Sequence, residues 1–132
     1  MSNIIKIEGV GYTPLKDYNS WRLAVLLPCT HNAIDTLKSL GKHNTTDEVF
    51  TLLCGVAYMI TGGKEKEPGN FKVRRLEKET LFVVEAGEWH AAILEENSKI
   101  LIAENVDTTD SRTIEINSQQ LEYFKSQIRG ME

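Results

Sequence analysis

The sequence predicts an all-β domain, a sandwich or barrel of short strands followed by one C-terminal helix. Three observations carry this. Apolar runs rich in β-branched and aromatic residues recur between residues 21 and 116. Clusters of Gly, Pro, Asn, Asp and Ser interrupt them about every eight to twelve residues, the rhythm of short antiparallel strands. Helical spacing is clear only at the C-terminal end.

Residues 21–27, Trp-Arg-Leu-Ala-Val-Leu-Leu, form an apolar run stopped by Pro28. Residues 30–42 read either as a helical turn marked by Ile34, Leu37 and Leu40 or as a loop leading into a strand. Gly41 and the following Asn-Thr-Thr favour the loop. Residues 48–53 and 56–61 are two strands joined at Cys54-Gly55. Residues 62–70 contain no apolar side chain and form a solvated loop whose glycines and proline suit turns. Two further strands, 71–76 and 80–85, flank Glu77-Lys78-Glu79. Residues 90–94 and 99–103 make a hairpin around the polar turn 95–98, and 113–116 is a last short strand. Asn117 can cap a helix with Gln120 three residues on, and Leu121, Phe124 and Ile128 repeat at helical spacing. About eight or more strands in one domain argue for a sandwich or barrel.

A chain of 132 residues suits a single domain spanning 1–132, with a barrel core over about 20–116 and a helix over about 118–129. At this length about two-thirds of the unfolded chain's surface can be buried, so no disulfide is needed. Apolar residues make up 41% and charged residues 26% of the chain, the range of ordinary globular proteins. A net charge of −4 gives no support to nucleic-acid or anionic-membrane partners, which favour basic patches. The N-terminus lacks the basic start and unbroken apolar stretch of a secretory signal, and no apolar run reaches membrane length. Cys29 and Cys54 form no CxxC or metal-ligand pair and read as ordinary thiols. Together these features predict a cytoplasmic protein. Many strand edges and outward apolar positions such as Val49 and Leu53 predict a homodimer.

Two segments carry chemistry. His43 and Glu48 stand at the head of a strand that ends at Gly55, and His90 follows Gly87-Glu88-Trp89 at the start of another. Two imidazoles and a carboxylate, brought together by sheet pairing, can hold a divalent metal. Four residues separate His43 from Glu48, and six separate Glu48 from Gly55. This spacing resembles the latter half of the first cupin motif, where a His-x-His pair is followed by a glutamate and then a glycine. Gly87-Glu88-Trp89-His90 resembles the GxxH of the second cupin motif, and 23 residues lie between Gly55 and Glu79, where that motif would begin. The resemblance covers about residues 20–116. Gly41 occupies the place of the first motif histidine, while Glu79, Glu85 and Leu94 replace a glycine, a proline and an asparagine of the second. The missing histidine leaves two readings, a three-ligand site with an extra open position or a site that has lost its metal.

The resemblance implies a cupin-type jelly-roll β-barrel whose interior holds the site. Strand alternation then sends Phe50 and Leu52 inward with Glu48, and Ala92 and Leu94 inward with His90. The expected cofactor is a divalent transition metal, Zn, Fe, Mn or Ni, on His43, Glu48 and His90. Arg22, on one face with Ala24 and Leu26, is a candidate to grip a substrate carboxylate. Phe50 and Tyr58 are candidates to line a small-molecule pocket, Tyr58 as a hydroxyl donor or a core tyrosine. By parity Trp89 faces away from His90 and serves packing or an interface. Glu104 is a candidate general base whose face the sequence leaves open. Lys42, His31 and Asp47 read as surface residues. The expected function is a metal-assisted isomerase, lyase or oxygenase step on a small polar metabolite; the alternative is a non-catalytic small-molecule binding or sensing barrel.

Overall fold

A computed structural model describes all residues, 1–132. Ten strands precede the helix: β1 (Tyr12–Tyr18), β2 (Trp21–Leu26), β3 (Ser39–His43), β4 (Glu48–Cys54), β5 (Ala57–Thr61), β6 (Lys72–Arg75), β7 (Phe82–Val84), β8 (His90–Leu94), β9 (Lys99–Asn105) and β10 (Ser111–Glu115). Helix α1 spans Ser118–Arg129. The strands form two five-stranded antiparallel sheets, β1-β2-β9-β4-β7 and β10-β3-β8-β5-β6. This is the jelly-roll sandwich expected from the sequence, with the expected C-terminal helix.

Two apolar clusters hold it together. Between the sheets lie Ala24, Phe50, Leu52, Met59, Leu94 and Ile102, among others, all buried. Alternation along β4 and β8 produces this layer, since every second residue turns inward. The second cluster sits on the outer face of the second sheet, where Tyr58, Ile60, Trp89 and Ile93 pack under Phe124 and Ile128 of α1. The helix is started by a reciprocal cap: the Gln120 amide donates to Asn117 Oδ1 at 2.8 Å, and the Asn117 amide donates to Gln120 Oε1 at 2.9 Å. Each large apolar side chain buried this way contributes about 1.5–3 kcal/mol.

Residues 30–42 resolve into a single 3-10 turn at Ile34–Thr36 and then β3, the loop-then-strand alternative. Strand β1 lies before the core range read from the sequence. It is a sheet edge whose side chains are mostly exposed, it contains Pro14, and its register with β2 slips between Pro14 and Lys16. Proline is tolerated there because an edge strand leaves amides unpaired.

The turn after β4 fixes the sheet crossing. Gly55 has φ +83°, and a Cβ added there would stand 2.6 Å from Ser98 Cα. Only glycine fits this contact, in which Ser98 Oγ accepts from the Val56 amide at 2.9 Å.

Candidate metal centre

Strands β3, β4 and β8 bring the three sequence-predicted ligands together inside the sandwich. Glu48 is buried, and its Oε1 lies 3.0 Å from His90 Nε2 and 3.5 Å from His43 Nε2. One ligand atom from each of the three residues falls within 4.8 Å of the others. The backbone ties the two motif segments directly, because the Gly87 amide donates to the His43 carbonyl at 2.7 Å. Gly87 has φ +83°, a left-handed conformation that glycine adopts without strain.

The outer nitrogens of the imidazoles fix their tautomers. His90 Nδ1 is 2.9 Å from the Glu88 carbonyl, which can only accept, so Nδ1 carries the hydrogen. Ser111 Oγ donates to the Thr108 carbonyl and lies 2.6 Å from His43 Nδ1, so it accepts from that ring. Both Nε2 lone pairs are left facing Glu48. Glu48 Oε1, buried, has no aligned hydrogen-bond donor despite its nearness to the two rings. A third electron-rich atom in such a place calls for a positive charge. A proton on His90 answers one ring; a divalent cation answers both. The donor set therefore fits a metal ion, and the hydrogen bonds to the outer nitrogens orient the rings as in known metal sites.

Burial pushes the His43 imidazole below its ordinary value, against the pull of Glu48. Burial also lowers His90, but its close contact with the Glu48 carboxylate, the Glu48 charge and the Glu88 carbonyl outweigh it and raise the net value. The ring with the stronger carboxylate contact is thus the one that holds a proton more readily.

Two cavities meet at this centre. A mostly apolar one of about 460 Å³ is lined by Phe50, Ala92, Ile102, Leu26, Glu48 and His90, among others. A polar one of about 210 Å³ is lined by Tyr12, Arg22, His43, Glu48, Glu104 and Thr108. Glu48 and Tyr12 line both. Phe50 thus lines a cavity as read from the sequence, with its ring centroid 6.0 Å from that of His90.

Arg22 does face the polar cavity, but its guanidinium is already engaged. Nε and Nη2 donate to the Asp17 carboxylate at 2.7 and 2.9 Å. That contact is the first cause holding Asp17 below the usual carboxylate range and Arg22 above its own. Tyr58 is corrected by the structure. Its side chain leaves the opposite face of β5, lies among the helix-side cluster and reaches Glu95 Oε2 at 3.3 Å, away from both cavities. The cause is parity: Ala57 and Met59 take the inward places on β5.

Trp89 is buried on the helix side, as parity requires, and its Nε1 donates to the Glu65 carbonyl at 2.9 Å. Lys42 departs from the surface reading. It is buried, with Nζ 4.8 Å from the Trp89 ring centroid. Asp47 is exposed and accepts from the Ala86 amide at 2.8 Å, steadying the approach to Gly87. His31 lies at the exposed rim of the larger cavity.

Glu104 points inward and is 7% exposed; its Oε2 accepts from the Tyr12 hydroxyl, while Oε1 has no partner. Burial first, then the Glu48 charge, raises its carboxyl above the usual range. Burial and Glu104 likewise raise the Tyr12 phenol. Tyr12 and Ser111 are the site residues that the sequence reading missed. A signal for Tyr12 exists in the two-residue turn Asn19-Ser20, which pairs Tyr18 with Trp21 and implies a strand before it.

No family model matches the chain, and no curated protein matches it. Solved structures do. A cupin-2 domain containing protein from Shewanella frigidimarina NCIMB 400 is 18% identical with a TM-score of 0.53, over 74% of this chain and 84% of that one. KdgF from Halomonas sp. is 14% identical with a TM-score of 0.53, over 75% and 80%. Hydroxypropylphosphonic acid epoxidase from S. wedmorenis is 27% identical with a TM-score of 0.52, over 71% and 49%. The chain thus spans about half the length of the epoxidase, and 56% of a cysteine peptidase from Thevetia peruviana latex that it also matches. No helix is long and apolar enough to cross a membrane. The two-sheet architecture and these matches place the chain among the cupin-fold proteins.

Proposed function

We propose that the chain binds one divalent transition metal through His43 Nε2, Glu48 and His90 Nε2 and performs a metal-assisted step on a small metabolite. One observation carries the reading: buried Glu48 Oε1 stands without a donor between two imidazoles whose hydrogens are committed elsewhere. Solved structures of HppE, 22–25% identical to this chain with a TM-score of 0.52, are described with Fe(II) and Co(II), which supports a metal of this class. Zn, Fe, Mn and Ni all suit two imidazoles and a carboxylate. When bound, such an ion supplies a Lewis acid able to polarise a carbonyl or activate water.

The chain's own residues define the rest. Phe50, Ala92 and Ile102 give the cavity on one side of the centre an apolar wall. Tyr12 holds Glu104 at the other side, and Glu104 Oε1 is placed to accept a proton or a hydrogen bond. Isomerisation and lyase chemistry use such a positioned group beside an open coordination position, whereas oxygenation needs the open position and a redox-active metal such as Fe. A second reading, a binding or sensing barrel without turnover, is favoured by Gly41, which pairs with His90 where a fourth ligand would stand. We further propose a homodimer and a reducing, cytoplasmic setting; both cysteines are free.

Elemental analysis of purified, untagged protein tests the metal. About one transition metal per chain is expected, with its loss in His90→Ala. Stoichiometric metal that survives loss of both His43 and His90 would refute the site. Protein that takes up no Fe, Mn, Ni or Zn would leave the binding reading in its place.

A further inference from the structure

The charges around the centre define the ligand more narrowly than its metal does. The larger cavity is lined by no lysine or arginine; its one basic side chain besides His90 is His31, at the exposed rim. Asn32 lines it too, with each end of its amide engaged once within the chain. Oδ1 accepts from the Cys29 amide at 2.9 Å, and Nδ2 donates to the Leu27 carbonyl at 2.8 Å. The smaller cavity contains one guanidinium, Arg22, and Asp17 neutralises it with two hydrogen bonds. No free cation of this chain is left there to receive a carboxylate or a phosphate.

The unanswered groups are acceptors. Glu48 Oε1 and Glu104 Oε1 are both buried without a donor. Glu48 is accounted for by the metal reading, and Glu104 is not. Its atom does not belong to the set that closes around a common centre. The Tyr12 hydroxyl occupies Oε2 and holds the carboxylate in place, so Oε1 is the acceptor left over. Glu48 and Glu104 together offset the charge of a divalent ion, so the buried acceptor attracts hydroxyl and ammonium hydrogens while the site offers an anion no net positive charge.

We propose that this site takes an uncharged or cationic small molecule with an apolar body, whose hydroxyl or amino hydrogen is accepted by Glu104 Oε1, and that it rejects carboxylate and phosphate ligands. The apolar body lies against Phe50, Ala92 and Ile102. The polar end chelates at His43, Glu48 and His90 and reaches Glu104. The proposal rests on the metal reading for the chelating group alone; Glu104 and the apolar wall are present with or without an ion. It makes Glu104 a specificity-determining residue and removes the substrate carboxylate that Arg22 was expected to grip.

Mandelamide and mandelate test it, because they share a phenyl ring and a hydroxyl and differ only in an amide against a carboxylate. Their affinities are measured by calorimetry on Zn(II)-loaded protein, with zinc content determined on the same sample. Mandelamide is expected to bind at least about tenfold more tightly than mandelate, and the ratio to fall within about threefold in Glu104→Gln. Glu104→Asp, which draws the acceptor back by one methylene, should also lower the ratio and serves if the first variant does not fold. Mandelate binding as tightly as mandelamide would overturn the proposal. So would a ratio unchanged in both variants, or no binding of either compound at millimolar concentration. If zinc is not taken up, the metal reading fails separately, and the same pair measured on metal-free protein decides the proposal.

Discussion

The Gly87 amide and the His43 carbonyl, 2.7 Å apart, join the two halves of the metal centre through the backbone alone. Neither ligand side chain takes part, so the spacing of His43 and His90 is set before any ion arrives. The bond depends on Gly87 holding φ +83°. In Gly87→Ala the Cβ meets no crowding, its nearest neighbour being Asn44 Oδ1 at 3.8 Å, so the cost is conformational. Stability should fall by about 1–2 kcal/mol and zinc affinity should fall with it, as read by denaturant unfolding and chelator competition. A variant with native stability and affinity would show that the turn does not position the histidines.

Ser111 belongs to the site although it touches no ligand atom that faces the centre. By donating to Thr108 and accepting from His43 Nδ1, it keeps the His43 Nε2 lone pair inward. Ser111→Ala removes that acceptor and frees the ring to take the other tautomer or turn. Zinc affinity should fall about 10–100-fold with little change in folding, measured by competition with a chelator. Ser111→Thr keeps the hydroxyl and should retain most of the affinity.

The ligands and the two-sheet fold were legible because both rest on local spacing. His43 and Glu48 keep motif spacing across one short turn, His90 follows Gly87 at motif spacing, and alternation alone sends Phe50 and Ala92 inward. The supporting residues follow other rules. Tyr12 lies on an exposed edge strand whose Pro14 and bulge hide the alternation. Ser111 reaches His43 only because β10 pairs with β3, a choice of neighbour that no local pattern encodes. Tyr58 shows the limit of residue type as a guide. A buried tyrosine on β5 has two faces available, and the helix covering the outer one was recognised without knowing which sheet it would cover.

Glu104 gives the site a pH signature. Its carboxyl is raised in the folded protein, by burial first and then by the Glu48 charge. For a raised acid, stability is fully present below the unfolded value of about 4.3 and is lost as pH rises through the folded value. Glu104→Gln removes the charge and keeps an acceptor for Tyr12. Metal-free Glu104→Gln should therefore match wild type in melting temperature at about pH 4 and exceed it at about pH 7. An equal difference at both pH values would mean that the carboxylate is not strained by its surroundings.

Apolar side chains line the free edge of the first sheet. Strand β7 pairs only with β4, and Leu81 and Val83 are exposed on or beside it, as is Leu53 at the end of β4. An unpaired edge with apolar residues is a ready surface for a second copy. The protein should sediment as a dimer at micromolar concentration, and Val83→Lys should shift it toward monomer while leaving zinc content unchanged. Wild-type protein that sediments only as monomer would remove the dimer from the proposal.

Gly41 decides how complete the centre is. It lies on the same face of β3 as His43 and pairs directly with His90, so a side chain there projects toward the ligand set. Space is available, since a Cβ at Gly41 would meet only the Arg112 carbonyl at 3.7 Å, an ordinary contact. In Gly41→His a third imidazole would join two already fixed by their outer hydrogen bonds. Zinc affinity should rise at least about tenfold, by chelator competition, and the Co(II) absorption spectrum should change with the added nitrogen. The gain would be set against a loss, because the new ring occupies a coordination position now open to ligand. Mandelamide should bind more weakly to Gly41→His than to wild type. Tighter zinc with undiminished mandelamide binding would place the ligand elsewhere than on the metal.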